Sequence, residues 1–164
     1  MSVLARQSLA LLSLFVLATA CSSGSDAGDI VFESVFSPST EASVWNATGE
    51  AIDDGLLCPA ATGVLEGFED EDGVARTEDD LGSLFGAGEP FVSVSVDLMT
   101  CDDGSGVFTL RIINEVDPSK SDGTPVLAST WIITGGSGYD TTTGEGSAEE
   151  SGTAFQGTGT LTRE

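Results

Sequence analysis

The chain has 164 residues, with 27 acidic and 5 basic side chains and no histidine, and its formal net charge is −22. A chain this negative repels nucleic acid and anionic lipid head groups, so we expect no nucleic-acid partner and no membrane attachment through charge. The lack of histidine excludes Ser-His-Asp and Cys-His mechanisms and histidine-based metal centres. The charge is typical of a soluble or salt-adapted surface, with binding of cations or of a basic partner as the alternative.

The first residues have the pattern of an export signal. Arg6 precedes an uncharged apolar run, Leu9–Ala20. That run is about 12 residues long, which suits a signal sequence and is shorter than the roughly 20 residues that span a bilayer. The run ends in small residues before a cysteine, and the stretch Leu17–Cys21 (LATAC) resembles the lipobox of bacterial lipoproteins.

The lipobox resemblance implies that residues 1–20 are a lipoprotein signal peptide and that Cys21 carries the lipid. The membrane is then a partner through the lipid alone, and the protein works in the cell envelope, outside the cytoplasm. Residues 21–28, which are mostly Ser, Gly, Asp and Ala, are predicted to form a flexible tether, followed by a single domain over 29–164. Simple secretion and a retained N-terminal anchor are the alternatives.

Two further cysteines, Cys58 and Cys101, remain once Cys21 is assigned to lipid. Two cysteines in an exported chain predict one disulfide. Closing a loop of this length would stabilise the fold by about 4 kcal/mol in the chain-entropy model. A nucleophilic or metal-binding cysteine is the alternative, although no histidine is present to activate a thiol.

The first half of the domain alternates short apolar runs with turn residues. Ile30–Phe36 and Ser43–Thr48 are predicted strands, and Val64–Phe68 is a shorter one. Leu56–Pro59 is predicted to enter the core. With 21 glycines marking the turns, this half indicates β-structure.

Residues 69–90 differ because they are acidic and poor in apolar side chains. We expect a long exposed loop with one helical turn near Leu81–Phe85. Calcium is the candidate ligand because hard cations take carboxylate oxygens, although the EF-hand spacing is not met and a solvated loop is favoured over a metal site. The candidate cation-binding residues are Asp70, Asp72, Asp79 and Asp80.

A hairpin is the strongest strand signal. Phe91–Met99 alternates apolar and polar residues and predicts a half-buried strand, with Val92, Val94, Val96 and Leu98 on its apolar face. A glycine-rich turn separates it from Val107–Ile113, whose predicted inner face is Phe108, Leu110 and Ile112. Cys101 lies at the turn, where it can reach Cys58.

Three more strands complete the domain: Leu127–Thr134, Thr141–Ala148 and Ala154–Leu161. The last two contain few apolar residues, so their faces are poorly specified by the pattern. About eight short strands without a convincing helix predict an all-β fold, a small antiparallel β-barrel, with a β-sandwich as the alternative. An eight-stranded barrel can be packed or can hold one small ligand.

The stretch Trp131–Tyr139 (WIITGGSGY) resembles a motif of the allene oxide cyclase-like and dirigent-like small β-barrels, and the likeness covers residues 90–160. The resemblance implies a barrel whose cavity steers a reactive intermediate with few catalytic groups. An activity of that type would need an open cavity with Tyr139 or a buried carboxylate pointing inward. Adjacent carboxylates such as Asp102 and Asp103 are expected from composition alone, and we assign no catalytic residue.

Three functions follow from these patterns. The leading hypothesis is a non-enzymatic, lipid-anchored extracytoplasmic barrel that binds a small apolar molecule or serves as an envelope surface protein. The second is an enzyme or guide of the cyclase and dirigent type. The third is a calcium-dependent interaction module that uses the acidic segment. No cofactor is expected, and calcium is the alternative.

Overall fold

The structure is a computed structural model that describes residues 26–120 and 126–164. Its elements are β1 Asp26–Ser37, β2 Ala42–Thr48, α1 Glu50–Asp53, β3 Ala60–Glu69, β4 Ala75–Arg76, α2 Glu78–Ala87, β5 Phe91–Cys101, β6 Val107–Val116, β7 Val126–Gly135, β8 Thr142–Ser151 and β9 Ala154–Arg163. The predicted signal peptide and Cys21 lie outside the described residues. Neither helix in the described ranges has the length and apolar character needed to cross a bilayer.

Eight of the strands form a closed antiparallel barrel. The strand order is β2-β1-β9-β8-β7-β6-β5-β3, and pairing of β2 with β3 closes the ring. Strand β4 is an extra two-residue strand beside the end of β3. Closure leaves no long unpaired edge that could recruit another chain. The prediction of a small all-β barrel is confirmed, and the sandwich alternative is wrong.

The first strand begins earlier than the pattern indicated. β1 starts at Asp26, within the segment predicted to be a tether, and residues 26–28 pair with the end of β9. Arg163 donates to Asp26 at 2.8 Å. Gly28 lies so close to the backbone of Ala51 that a Cβ atom there would be 2.6 Å from its nitrogen. The glycine that suggested a flexible linker therefore permits close packing of β1 against α1.

The segment 70–90 is more ordered in secondary structure than the predicted loop. It contains β4 and a ten-residue helix, α2, in place of the single helical turn expected near Leu81–Phe85. Thr77 begins α2 with a capping box, since its hydroxyl accepts from the backbone of Asp80 and the Asp80 carboxylate accepts in return from the backbone of Thr77. Phe85 meets Phe91 edge-on, with ring centroids 5.1 Å apart. The pattern Thr-x-x-Asp at Thr77 and Asp80 is a local sequence signal for the start of this helix.

One end of the barrel is closed. Helix α1 and the following residues cover the end at which β2, β5, β7 and β9 finish, and Ala51, Leu56 and Leu57 are at most 2% exposed there. The Cys58–Cys101 disulfide joins this cover to β5, with Cα atoms 6.0 Å apart. Thr142 donates to the carbonyl of Leu56 at 3.0 Å. The predicted disulfide is confirmed, and it fixes the cover to the barrel wall.

Aromatic side chains fill the middle of the barrel. Phe32 stacks on Trp45 with centroids 4.2 Å apart and meets Trp131 edge-on at 5.2 Å. Phe108 packs against Trp45 at 5.3 Å. Both tryptophans are fully buried.

In β8 and β9, the two strands with few apolar residues, several positions that point into the barrel are glycines. Every second residue of β8 and β9 points into the barrel, and there the inward set includes Gly144, Gly146, Gly157 and Gly159, called here the glycine patch. The indole of Trp131 lies against this patch and donates to the carbonyls of Ser147 and Thr158 at 3.0 and 3.2 Å. The missing side-chain volume of β8 and β9 is therefore supplied by Trp131 and Phe32 from other strands.

Strand β5 faces the opposite way from the prediction. Asp97, Met99 and Cys101 point inward and are at most 5% exposed, whereas Leu98 faces outward and is 38% exposed. Val94 and Val96 lie on the outer face but are each 5% exposed. Val94 pairs with Glu69 and Val96 pairs with Arg111. Glu69 and Arg111 form an ion pair of 3.5 Å across this face.

The prediction that Val92, Val94, Val96 and Leu98 form the inner face of β5 is therefore wrong, although Val94 and Val96 are buried on the outer face. A carboxylate on the inner face and a covered valine pair on the outer face reverse the usual pattern of an antiparallel strand.

Candidate binding cavity

A cavity lies at the end of the barrel opposite α1, called here the open end. Strands β1, β3, β6 and β8 finish at this end, and β2, β5, β7 and β9 begin there. The cavity has a volume of about 240 Å³. Pockets for drug-sized ligands usually measure about 300–1,000 Å³, and a cavity of about 150 Å³ holds benzene. The space therefore suits a small molecule with one ring and a short chain.

Inward positions from seven strands meet around the cavity, and most of the wall surface is apolar. The apolar lining residues are Phe36, Leu65, Phe68, Ile112 and Phe155. None of them is a fully exposed side chain, and Ile112 is 2% exposed. Burial of apolar surface of a ligand against such a wall is worth roughly 25 cal/mol per Å².

Asp97 is the one strongly buried carboxyl group of this cavity. It is 5% exposed and accepts a hydrogen bond of 2.9 Å from the hydroxyl of Ser43. Ser43 of β2 and Asp97 of β5 meet across β3, where Gly63 pairs with Ser43 and leaves room for the side chain of Met99. Burial raises the pKa of Asp97 above its ordinary value of 3.8, and the Ser43 hydrogen bond opposes that rise.

The other polar groups of the cavity carry no positive charge. The lining polar side chains besides Asp97 are Ser34, Ser43, Ser95, Asn114, Glu150 and Thr153. Asn114 accepts from the hydroxyl of Ser129 at 2.6 Å, and Glu150 is exposed at the mouth. No lysine or arginine of the described residues lines the cavity. The space therefore combines apolar walls with a hydrogen-bond acceptor at depth and a second carboxylate at its entrance.

Two of the four carboxylates considered for cation binding are engaged in local structure. Asp70 pairs with Arg76 at 2.9 Å and accepts from the backbone of Asp72 and Val74. The hydrogen bond from the Val74 backbone is the main cause that lowers the pKa of Asp70. The backbone of Thr77 likewise lowers the pKa of Asp80. These carboxylates hold the turn before β4 and the start of α2.

The other two, Asp72 and Asp79, are exposed on the same segment. Within residues 26–120 and 126–164, no group of three or more acidic or cysteine side chains is placed to hold a metal ion. Asp70 thus stabilises a turn and Asp80 caps a helix, and the four carboxylates do not form one cluster. Calcium binding by this segment stays a prediction.

Tyr139 and the paired aspartates lie at the closed end, far from the cavity lining. The Tyr139 hydroxyl is 2.7 Å from that of Ser105, and its ring packs where Gly106 has no side chain. Asp103 accepts from the backbone and hydroxyl of Ser105, which lowers the pKa of Asp103. Asp102 accepts from Thr62 at 3.2 Å. These residues stabilise the β5–β6 and β7–β8 turns and do not reach the cavity. Of the two groups that a cyclase-like activity would require, Tyr139 or a buried inward carboxylate, only the carboxylate is present in the cavity, as Asp97.

Asp97 was missed because the valines of β5 suggested the opposite face. The signal that could have found it is Cys101. Residues two apart on a strand share a face, so a cysteine bonded to the core region places Met99 and Asp97 inside with it. The disulfide and the strand alternation together assign Asp97 to the interior, and neither does so alone.

Comparison with known proteins gives no match: no family model, no curated protein and no solved structure matches the chain.

Proposed function

We propose that this protein is a lipid-anchored, extracytoplasmic β-barrel that binds a small, mainly apolar molecule in the cavity at its open end. The observation that carries the proposal is the cavity of about 240 Å³, walled by inward apolar side chains and containing the buried carboxyl of Asp97. Burying a carboxyl group in a largely apolar wall is costly, and the single hydrogen bond from Ser43 offsets only part of that cost, so a ligand group that bonds to Asp97 would stabilise it further.

The proposed location rests on different features. The apolar run before Cys21 and the lipobox resemblance support export and lipidation. The Cys58–Cys101 disulfide is compatible with an oxidising compartment. In this proposal the barrel is tethered by the lipid on Cys21, and the negative surface keeps it from binding head groups directly.

Native mass spectrometry tests ligand binding. The full chain is expressed with its export signal and with Cys21→Ser, so that it is purified from the extracytoplasmic fraction without detergent. We expect extra mass that disappears on denaturation. Ser95→Phe fills the cavity and should remove that mass, whereas Thr100→Phe adds the same ring to the outer face of β5 and should retain it.

A bare protein that also binds neither added 2-phenylethanol nor 2-phenylethylamine nor phenylacetate in solution would contradict the proposal. Equal ligand mass in the Ser95→Phe and Thr100→Phe variants would place the ligand elsewhere and would contradict it as well.

Labelling with a fatty-acid analogue tests the anchor. The label should appear on the unmodified chain and on Ser22→Ala, and should be lost from Cys21→Ala because the sulfur that carries the lipid is gone. A labelled Cys21→Ala protein would refute lipidation at this position, and an unlabelled chain found in the culture medium would support simple secretion instead.

A catalytic or guiding role of the cyclase and dirigent type is the second candidate, favoured by the inward position of Asp97. Because burial raises the pKa of Asp97, its carboxyl is suited to exchange a proton with a bound molecule. Recovery of a chemically altered ligand from the unmodified protein, and of unaltered ligand from Asp97→Asn, would support this role. Release of unaltered ligand by both proteins would count against a catalytic role and would leave binding as the only proposed function.

A further inference from the structure

We infer that the ligand of the open-end cavity carries a protonated amine, and that the Asp97 carboxylate receives it while the apolar walls hold the rest of the molecule. This inference rests on the proposed binding function and deepens it by naming the chemical class of the ligand. Its starting point is the combination of one deeply buried acceptor with a cavity that has no positive side chain among its described lining residues.

The position of Asp97 fits the role of a counter-ion. Its one hydrogen bond among the described residues comes from Ser43, at Oδ1, which leaves acceptor capacity on the carboxylate for a ligand. A buried carboxylate is stabilised most by an opposite charge that also donates hydrogen bonds. A protonated amine supplies three donors and one positive charge.

The charges around the cavity reject the opposite kind of ligand. A carboxylate or phosphate entering the space would meet Asp97 at depth and Glu150 at the mouth. The basic side chain nearest along β6, Arg111, lies outside the barrel in its ion pair with Glu69. A fatty acid or other anion would therefore have no positive partner inside, and its charge would be repelled.

The open end also attracts cations from a distance. The segment 70–90 connects β3 to β5 at this end and contains seven acidic residues and a single basic one, Arg76. Its field adds to that of the chain as a whole, whose net charge is −22. Such a field raises the local concentration of positive ligands and speeds their association.

A metal ion does not account for the same features. Hard cations need several oxygen ligands, and the described residues contain no group of three or more acidic or cysteine side chains placed around an ion. The walls contributed by Phe36, Phe68 and Phe155 would leave most of an ion's coordination unfilled. An amine on a small hydrophobic body uses both the carboxylate and the walls.

Titration with three matched probes tests the inference: 2-phenylethylamine, 2-phenylethanol and phenylacetate share the ring and differ in charge. Binding is measured by calorimetry at neutral pH on the exported Cys21→Ser chain. We expect the amine to bind about tenfold tighter than the alcohol or more, and phenylacetate to bind most weakly, because hydrogen bonds to a charged group are worth more than neutral ones.

Asp97→Asn should reduce the affinity for the amine about tenfold or more and leave that for the alcohol within about threefold. The substitution preserves shape and removes a buried charge, so the barrel should still fold, which circular dichroism checks. Asp53→Asn is the matched control, because it removes one carboxylate from the exposed surface of α1 at the closed end.

The outcomes separate the two claims. If alcohol and amine bind equally well, or if Asp53→Asn weakens the amine as much as Asp97→Asn does, the amine inference is overturned and the binding function stands. If none of the three probes binds and native mass spectrometry shows a bare protein, the binding function falls and the inference falls with it.

Discussion

A methyl group at Gly157 should destabilise the barrel. A Cβ atom built there overlaps three atoms of the Phe32 ring. Phe32 is 2% exposed and is held between the rings of Trp45 and Trp131, so it has no free space into which to move. Overpacking of a filled core costs about 1–3 kcal/mol. For a domain of this size, that loss corresponds to a fall in Tm of roughly 3–9 °C.

The matched control is Gly82→Ala in α2. A Cβ atom at Gly82 meets nothing within 4 Å, and the backbone is helical. The same chemical change should there stabilise by roughly 0.5–1 kcal/mol, because alanine favours the helix over glycine. Opposite signs for the two variants would show that the effect comes from the interior and not from loss of glycine as such.

Guanidinium unfolding followed by tryptophan fluorescence measures both variants, since Trp45 and Trp131 are fully buried. A double variant, Phe32→Leu with Gly157→Ala, removes the overlapping ring and should recover part of the loss, with a coupling energy above about 0.5 kcal/mol. A Gly157→Ala protein as stable as the parent, or additive free energies in the double variant, would refute the packing of Phe32 against the glycine patch.

Three further predictions concern other parts of the fold. Replacing Cys58 and Cys101 with alanine should lower the free energy of unfolding by about 4 kcal/mol, since the bond spans 43 residues; a loss below about 1 kcal/mol in denaturant unfolding would contradict this. Burial raises the pKa of Asp97 in the folded state above 3.8, the value expected in the unfolded state, so the folded protein binds the carboxyl proton more tightly. The free energy of unfolding therefore falls as pH rises from 3.8 through the higher folded-state pKa. Asp97→Asn should therefore be more stable than the parent at pH 7 and lose that advantage below pH 3.8; a constant difference across a series of thermal melts would count against a buried carboxylate. Thr77→Ala should cost α2 about 1 kcal/mol and speed exchange of its amide protons without affecting β6; unchanged exchange in α2 would argue against the capping box.

Local patterns predicted the elements that depend on neighbours in the chain. The alternation in Val107–Ile113 identified the buried face of β6 correctly, because an inward run of Phe108, Leu110 and Ile112 is apolar without interruption. The two cysteines of the predicted domain, Cys58 and Cys101, predicted the disulfide by their number. The helix α2 was underestimated, although its capping box is a local signal that uses Thr77 and Asp80 alone.

The cavity could not be predicted in the same way, because it is made by residues that are far apart in the chain. Asp97 meets Ser43 across an intervening strand, and the apolar wall draws Phe36 and Phe155 from opposite ends of the domain. The orientation of β5 depends on what covers its outer face. The Glu69–Arg111 ion pair, which spans that face, has no counterpart in the local pattern of β5.

The sequence by itself determined the class of fold, the pairing of Cys58 with Cys101 and the absence of histidine chemistry, because strand alternation, cysteine count and composition are properties of the chain that need no distant partner. Tertiary structure alone decided which face of β5 points into the barrel and why glycines can occupy inward positions of β8 and β9. Both depend on volumes supplied by other strands: the glycine patch is filled by the rings of Phe32 and Trp131, and the space beside Asp97 is open because no side chain of the described strands fills it.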